Sequence, residues 1–385
     1  MAVATFTQAA SAFVFLGVGT LTAFVRSDLG LSATRTGLLV TAIGLVPLLT
    51  LLPVGRLLDR RGERWLVAGG GVLLGAGAAA ATLADRYWTI AVLLLLAGTG
   101  YATSQPGGSS AVAGWFTGRR RGLAMGIRQT GLPLGGAAAA AILPTVADRV
   151  GWQTALAAAG AVAVVGAALF AVVYRDHPRA AEPTGALWHD VHRLLGVPEL
   201  RPVLWAGTVH VATQFATVSY LLLYLQDRHG IPLAAGGGCL FAAQMAGVVG
   251  RIVLARWSDR YGAGRRLRPV LISLLVTAAA TAGLAVLPTV PLPVAVALMV
   301  PYGFFAFGWY GPWVVHVADV APGNATGLTL ALAMTGNQLG IVAGPPLFGA
   351  IQDLSGGYTA AWLGFTAILL AAATRVAVAI RHDRA

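Results

Sequence analysis

Long uncharged stretches of apolar residues recur along the whole of this 385-residue chain. The hydrocarbon core of a bilayer accommodates a helix of about 20 apolar residues. Only 10% of the residues are charged, whereas soluble proteins have about 25%. We therefore predict an all-α integral membrane protein with twelve transmembrane helices, near residues 3–25, 37–55, 65–84, 89–113, 122–144, 153–174, 201–225, 234–257, 268–288, 293–317, 327–350 and 357–378.

Arginine supplies all the basic side chains apart from histidine, and its distribution between the predicted spans is uneven. With the N-terminus inside, 19 of the 26 arginines fall in cytoplasmic connections or in the C-terminal tail, and five fall in outer connections. Cytoplasmic loops are enriched in basic residues, so the net charge of +12 indicates topology and does not indicate nucleic-acid binding. We expect a multi-pass protein of the cytoplasmic membrane with both termini in the cytoplasm, and a first span that is retained because it lacks a signal-peptide pattern.

The sequence shows no pattern typical of an enzyme or a metalloprotein. Cys239 is the single cysteine, which excludes an internal disulfide and a multi-cysteine metal site. The glycines at 69–71 and 75 lie inside an apolar span without the Lys-Ser or Lys-Thr ending of a phosphate loop, so we predict that they pack helices. We expect no catalytic residues, no cofactor and no metal.

One long polar connection, 175–200, divides the predicted spans into six and six. We therefore predict an N-terminal six-helix bundle at 1–174, a cytoplasmic central loop at 175–200 and a C-terminal six-helix bundle at 201–385. Within the loop, apolar residues recur at helical spacing between Leu187 and Leu195, which predicts a short amphipathic helix at the membrane surface.

A charged motif follows the second predicted span and has a weaker copy after the eighth. The segment 55–64 contains Gly55, Asp59, Arg60, Gly62 and Arg64. About 200 residues later the copy contains Asp259, Arg260 and Gly262, with Ala255 at the position of the first glycine. This pattern resembles the G-x-x-x-D-R-x-G-x-R loop between the second and third helices of major facilitator superfamily transporters.

That resemblance implies two pseudo-symmetric six-helix bundles with the substrate bound between them, and transport by alternating access. It also implies a gating role for the two copies of the motif, in which the charges hold one face closed. The alternative is that the arginines only anchor the loop on the cytoplasmic side.

A second repeat supports two related halves. Thr130-Gly131-x-x-x-Gly135 in the fifth span matches Thr335-Gly336-x-x-x-Gly340 in the eleventh, and small residues four apart allow close helix packing in lipid. The segments 115–136 and 344–349 loosely resemble the monocarboxylate and organic-anion branches of the same superfamily.

Two arginines, Arg251 and Arg128, fall inside predicted spans, where a charge is costly unless it faces a cavity or a partner. A guanidinium suits a carboxylate because its fork donates two parallel hydrogen bonds. Arg251 also matches an eighth-helix arginine that contacts the substrate anion in transporters of the monocarboxylate and nitrate type. The alternatives are snorkelling to the headgroups for Arg251, and snorkelling or helix pairing for Arg128.

His210 falls near the middle of the seventh span, where it is a candidate to carry a proton or to bind substrate. A buried neutral histidine with a local partner is an equally good interpretation. No aspartate or glutamate lies deep in any predicted span, which weakens proton symport through a carboxylate relay. A coupling proton therefore requires His210 or the carboxylate of the substrate.

Further polar and aromatic residues are candidates to line the hollow between the halves. The tenth span is rich in aromatic residues, namely Tyr302, Phe304, Phe305, Phe307, Trp309, Tyr310 and Trp313. The predicted substrate-binding set is Arg251, Arg128, His210, Gln129, Gln214, Tyr220, Tyr302, Trp309 and Asn337.

These patterns predict a secondary active transporter that moves a small organic anion, with a monocarboxylate as the favoured substrate and symport as the favoured mode. Its expected partners are the small-molecule substrate, a coupling proton and the lipid bilayer, and we expect a monomer. One rival is an efflux pump for lipophilic or cationic compounds. A second rival is a non-transporting membrane sensor built on the same scaffold.

Overall fold

The computed structural model describes residues 1–115, 128–176, 187–259, 267–322 and 326–382. Within these residues the secondary structure is α-helical, without strands. The helices are α1 (Ala2–Leu29), α2 (Ala33–Arg61), α3 (Arg64–Ala81), α4 (Tyr87–Tyr101), α5 (Ser104–Trp115), α6 (Gly131–Val150), α7 (Trp152–Val173), α8 (Leu187–Leu195), α9 (Leu200–His229), α10 (Leu233–Asp259), α11 (Leu267–Val286), α12 (Leu292–Ala306), α13 (Tyr310–Asp319), α14 (Thr326–Ser355) and α15 (Tyr358–His382).

Eleven helical stretches among the described residues are long and apolar enough to cross a membrane. Helix α14 is not one of them, although its 30 residues exceed the length that a span requires. It packs against both α2 and α9. The predicted total of twelve spans is therefore reached only when α14 is included.

The predicted fourth and tenth spans are each divided into two helices. The chain leaves regular helix at Ala102–Thr103, between α4 and α5, and again at 307–309, between α12 and α13. Both interruptions lie beside glycines that approach a neighbouring backbone closely. A Cβ on Gly100 would stand 2.1 Å from the Gly70 carbonyl oxygen, and one on Gly308 would stand 2.8 Å from the Gly250 carbonyl carbon. Both predicted spans are present, since Tyr87–Gly108 and Leu292–Asp319 are each long and apolar enough to cross a membrane. The hydropathy of the sequence did not reveal the interruption within each.

The sequence pattern suggested a ten-residue loop at 55–64, but the structure does not contain one. Helix α2 continues to Arg61, and only Gly62 and Glu63 separate it from α3. Gly62 has φ +88°, a backbone conformation that favours glycine. The described structure does not include the surroundings of Gly55, the side chains of Asp59, Arg60 and Asp259, or the whole of Arg260 and Gly262. The gating role of the two copies therefore stays a prediction.

The two small-residue repeats pack in equivalent ways in the two halves of the chain. A Cβ on Gly131 or Gly135 would meet a carbonyl oxygen of α1 at 2.7 or 2.2 Å. One on Gly340 would meet the Thr208 carbonyl oxygen of α9 at 2.3 Å. Helix α6 therefore lies directly on α1, and α14 lies directly on α9. The predicted role of these glycines in helix packing is confirmed.

The two halves contact each other at the end of the bundle where α1 and α9 end and α2 begins. We call this the outer end, since it is the predicted extracytoplasmic side. There Thr22 Oγ1 donates to the Ser219 carbonyl oxygen at 2.7 Å. A Cβ on Gly37 would stand only 2.5 Å from the backbone of Pro345. Deeper in the bundle, Gln338 Nε2 donates to the Gly44 carbonyl oxygen at 2.9 Å. The outer end is therefore closed in this structure.

Candidate functional site

Arg128 lies just before α6 and is fully buried in the N-terminal half. Its Nη2 donates to Gln8 Oε1 of α1 at 2.8 Å and to the carbonyl oxygens of Ser104 and Gln105 at 3.1 and 2.9 Å. These carbonyls belong to the first turn of α5, immediately after the interruption of the fourth span. Of the alternatives that the sequence left open, the structure excludes snorkelling, because the guanidinium points into the protein.

Arg251 lies in α10 of the C-terminal half, about two helical turns before the end of that helix. Its Nε donates to the Phe307 carbonyl oxygen at 3.1 Å, within the interruption of the tenth span. Its Cζ lies 5.1 Å from the centre of the Tyr310 ring, a distance typical of a cation–π contact. Arg251 therefore also points away from the headgroups and into the bundle.

Tyr310 is within electrostatic range of both arginines, although these belong to different halves of the protein. It is the first residue of α13, and it interacts electrostatically with both Arg251 and Arg128. Arg251 shares a half with Tyr310, whereas Arg128 approaches from the other half. The sequence placed Tyr310 among the tenth-span aromatic residues, but nothing in the pattern singled it out.

Long polar side chains donate to backbone carbonyl oxygens at both helix interruptions. The last carbonyl groups of a helix have no intrahelical partner and are costly inside a membrane unless the protein supplies another donor. Arg128 donates to the Ser104 and Gln105 carbonyls in the first turn of α5, whereas Arg251 supplies such a donor to Phe307, just after α12. Gln214 Nε2 of α9 donates to the carbonyl oxygen of Ala306, one residue earlier. Sequence reasoning missed these acceptors because backbone carbonyls have no sequence signal.

Aromatic rings lie next to this polar layer. Phe15 of α1 stacks on Tyr101 of α4, with ring centres 3.9 Å apart and an interplanar angle of 3°. Phe215 of α9 meets the edge of Phe15 at 5.7 Å, which is a contact between the two halves. Tyr101 also interacts electrostatically with Arg128. The centre of the protein thus combines cationic groups with flat apolar surfaces.

The remaining predicted site residues are spread over several places. His210 is buried within the C-terminal half, where it stacks on Trp309 at 4.6 Å and its Nδ1 lies 3.3 Å from the Ala206 carbonyl oxygen. Tyr302 shares a hydrogen bond with Thr217 of α9. The structure therefore places His210 and Tyr302 against helices of their own half.

Asn337 lies where α14 meets α9, beside Gly207, and Gln129 is half-buried next to Arg128. Tyr220 lies at the outer end, where its hydroxyl donates to the Ala33 carbonyl oxygen at 2.6 Å. Of the predicted set, the structure brings Arg251, Gln214 and Trp309 to the interruption between α12 and α13, and it brings Arg128 to the interruption between α4 and α5.

Arg64 of the charged motif is bound within the N-terminal half. Its Nε donates to the Ala171 carbonyl oxygen at 2.6 Å, and its backbone N–H donates to Asp176 Oδ1 at 3.0 Å. The N–H of Glu63 donates to the same oxygen at 2.8 Å. Burial raises the pKa of the Glu63 carboxyl above its usual value, and the nearby Asp176 adds to this effect.

Two helical halves that enclose a polar centre inside an apolar exterior define a membrane carrier. The chain belongs to the Major Facilitator Superfamily, whose family model matches residues 1–345. It is a membrane transporter of this superfamily and not an enzyme. The fold class predicted from the charged motif is thereby confirmed.

Three relatives illustrate the range of the similarity. An uncharacterised MFS-type transporter of Mycobacterium tuberculosis is 32% identical over 357 residues, which cover 92% of this chain and 79% of that protein. A 3-(3-hydroxy-phenyl)propionate transporter of Escherichia coli is 27% identical over 82% of this chain and 76% of its own length. Monocarboxylate transporter 13 of Bos taurus is 28% identical over 83% of this chain and 74% of its own length.

Among solved structures, a bacterial homologue of the human lysosomal transporter Spinster, in an inward-facing and occupied conformation, has a similar fold. Its TM-score is 0.77 at 16% sequence identity, and the match covers 98% of this chain and 96% of that one. At this identity the similarity supports the fold alone.

Proposed function

We propose that this transporter moves a small organic anion, a monocarboxylate, by alternating access in the cytoplasmic membrane. The observation that carries the proposal is the set of groups that surround the Arg251 guanidinium. Its guanidinium lies inside the bundle on a backbone carbonyl and an aromatic face, and no carboxylate contacts it among the described residues. A carboxylate of the substrate is the natural partner for such a cation.

The arrangement around Tyr310 supports a site shared by the two halves. Arg251 and Tyr310 come from the C-terminal half, and Arg128 comes from the N-terminal half. An anion held by both arginines would link the halves, so that its binding favours closure around it. This is the kind of differential contact that alternating access requires.

Two of the relatives are named for organic acids, namely a hydroxy-phenylpropionate and monocarboxylates. Those names describe the substrates of those proteins, and they agree with the chemistry proposed here. The Tyr101 ring, which is within electrostatic range of Arg128 and stacks on Phe15, suits an acid with an apolar or aromatic body.

Symport with a proton is part of the proposal, and the carboxylate of the substrate is one predicted carrier of that proton, in the step after it leaves the guanidinium. The acidic side chains described in the structure lie at helix ends or in connections, as the sequence indicated. His210 remains the predicted alternative carrier. We further propose that the protein works as a monomer with cytoplasmic termini.

The test is uptake of a labelled monocarboxylate, such as pyruvate or 3-phenylpropionate, into proteoliposomes containing the purified protein. We expect Arg251→Gln to abolish uptake, and Arg251→Lys to restore only part of it, because lysine keeps the charge and loses the fork. Arg375→Gln is the matched control, since Arg375 is exposed on α15.

Unchanged uptake by Arg251→Gln would remove this arginine from the mechanism. Resistance to lipophilic or cationic compounds on overexpression, without anion flux, would favour the efflux pump. Absence of flux for any solute would favour the sensor.

A further inference from the structure

Asp353, near the end of α14, binds the first turn of α2 in the opposite half of the protein. One carboxylate oxygen accepts the Ala33 N–H at 2.9 Å. The other accepts both the Thr34 N–H at 2.8 Å and the Thr34 hydroxyl at 2.6 Å. These three hydrogen bonds from a single side chain connect residues that are about 320 positions apart in sequence.

The N-terminus of a helix is a favourable place for this carboxylate. The first amides of a helix have no partner within it, and the helix dipole favours a negative charge there. Ser32 caps α2 locally by accepting the Arg35 N–H at 3.3 Å, which leaves the Ala33 and Thr34 amides to another acceptor. The C-terminal half supplies that acceptor.

The same turn of α2 is held by two further groups of the C-terminal half. Tyr220 of α9 donates its hydroxyl to the Ala33 carbonyl oxygen at 2.6 Å. Gly349, one helical turn before Asp353, lies so close that a Cβ there would stand 2.4 Å from the same oxygen. This fit requires the halves to be closed at the outer end, so the contacts of Asp353 exist in one conformation and are lost when the end opens.

We propose that Asp353 is the gate residue that holds the outer end of this transporter closed, and that its carboxylate leaves the N-terminus of α2 in every transport cycle. Removing the carboxylate shifts the equilibrium towards the outward-open state without altering the central arginines. The proposal depends on membership of the transporter family and not on the identity of the substrate.

The test measures the distance between the halves at the outer end by double electron–electron resonance. Spin labels are placed at Leu83, beyond the end of α3, and at Leu354, beside Asp353, because these side chains are 85% and 89% exposed. The native Cys239 is buried and is replaced by alanine. Substrate is omitted, so that only the intrinsic equilibrium is observed.

We expect Asp353→Ala to raise the ratio of the long-distance to the short-distance population by about tenfold, the factor that 1.4 kcal/mol produces. Thr34→Ala removes one of the three hydrogen bonds and should raise the ratio by a smaller factor. Asp227→Asn is the matched control, because Asp227 is also at the outer end but accepts its hydrogen bond from Tyr358 of its own half, at 2.6 Å. This control should leave the ratio unchanged.

An unchanged distance distribution in both Asp353→Ala and Thr34→Ala would overturn the proposal. So would an equal shift in Asp227→Asn, since the effect would then be a general loss of surface charge. If Asp353→Ala does not yield folded protein, Thr34→Ala decides the question alone.

Discussion

Gly108→Ala tests the position of Arg128 without removing its charge. Gly108 lies in α5, one turn after the carbonyls of Ser104 and Gln105 that accept Arg128 Nη2. A Cβ added at Gly108 would stand 2.6 Å from Arg128 Nε and 2.7 Å from Nη2. Ordinary contacts begin at 3.4 Å, so the guanidinium has to retreat by about 0.8 Å from α5.

This displacement exceeds what the two hydrogen bonds tolerate. They measure 3.1 and 2.9 Å, and N–H···O bonds weaken beyond about 3.2 Å. Hydrogen bonds to charged groups contribute about 1.5–3 kcal/mol each. We expect substrate to bind Arg128 in the position that these hydrogen bonds fix. If the displacement weakens binding by about 1.5 kcal/mol, the KM rises about tenfold.

The stability of the fold should fall as well, because the two hydrogen bonds lie within the protein. Alanine offsets part of this loss, since it favours the helix over glycine by about 0.5–1 kcal/mol. The assay is the KM and kcat of pyruvate or 3-phenylpropionate uptake into proteoliposomes, together with the Tm of the purified protein.

The matched control is Gly69→Ala in α3, where an added Cβ meets nothing within 4 Å. A Gly108→Ala variant with wild-type KM would show that the exact position of Arg128 is not used in binding. A wild-type KM with a lowered Tm would assign Arg128 to the packing of the interrupted helix instead.

Two further predictions concern the outer end and the connection between α2 and α3. Gly37→Ala places a Cβ 2.5 Å from the backbone of Pro345, which cannot move as a side chain does. We therefore expect a larger outward-open population in the spin-label distance measurement. The control, Gly69→Ala, should leave that population unchanged. Burial raises the pKa of Glu63 above 4.5, so the folded state binds this proton more tightly than the unfolded state does, and stability should fall as pH rises from 4.5 through the raised value. Thermal unfolding in detergent should show a flatter pH dependence for Glu63→Gln than for the wild type, and an identical dependence would contradict the assignment.

Much of the architecture follows from local patterns along the chain. The apolar stretches place the helices, because burying backbone polar groups in lipid requires regular helix wherever protein or water does not supply partners. The amphipathic spacing at 187–195 predicts a helix, and α8 has these bounds. The glycine repeats at 131–135 and 336–340 predict close packing, because the absence of a side chain is visible in the sequence.

The candidate site is only partly visible in the sequence. Arg128 and Arg251 stand out because a charge in an apolar span is costly wherever it lies. Their acceptors do not stand out, since backbone carbonyls have no sequence signal and the Phe307 carbonyl becomes available only because the helix is interrupted there. The position of Tyr310 against Arg251 depends on how α13 is oriented, and the pattern of apolar residues does not predict that orientation.

The sequence by itself determined the class of this protein, its helices and the presence of two unusual cations, because hydropathy and charge are properties of single segments. The tertiary structure alone decided that the outer end is closed and that Asp353 reaches α2, because those contacts join residues hundreds of positions apart. It also decided that the Tyr310 ring lies against Arg251. Such contacts depend on how the two halves are positioned against each other, which is set by the packing of all their helices together.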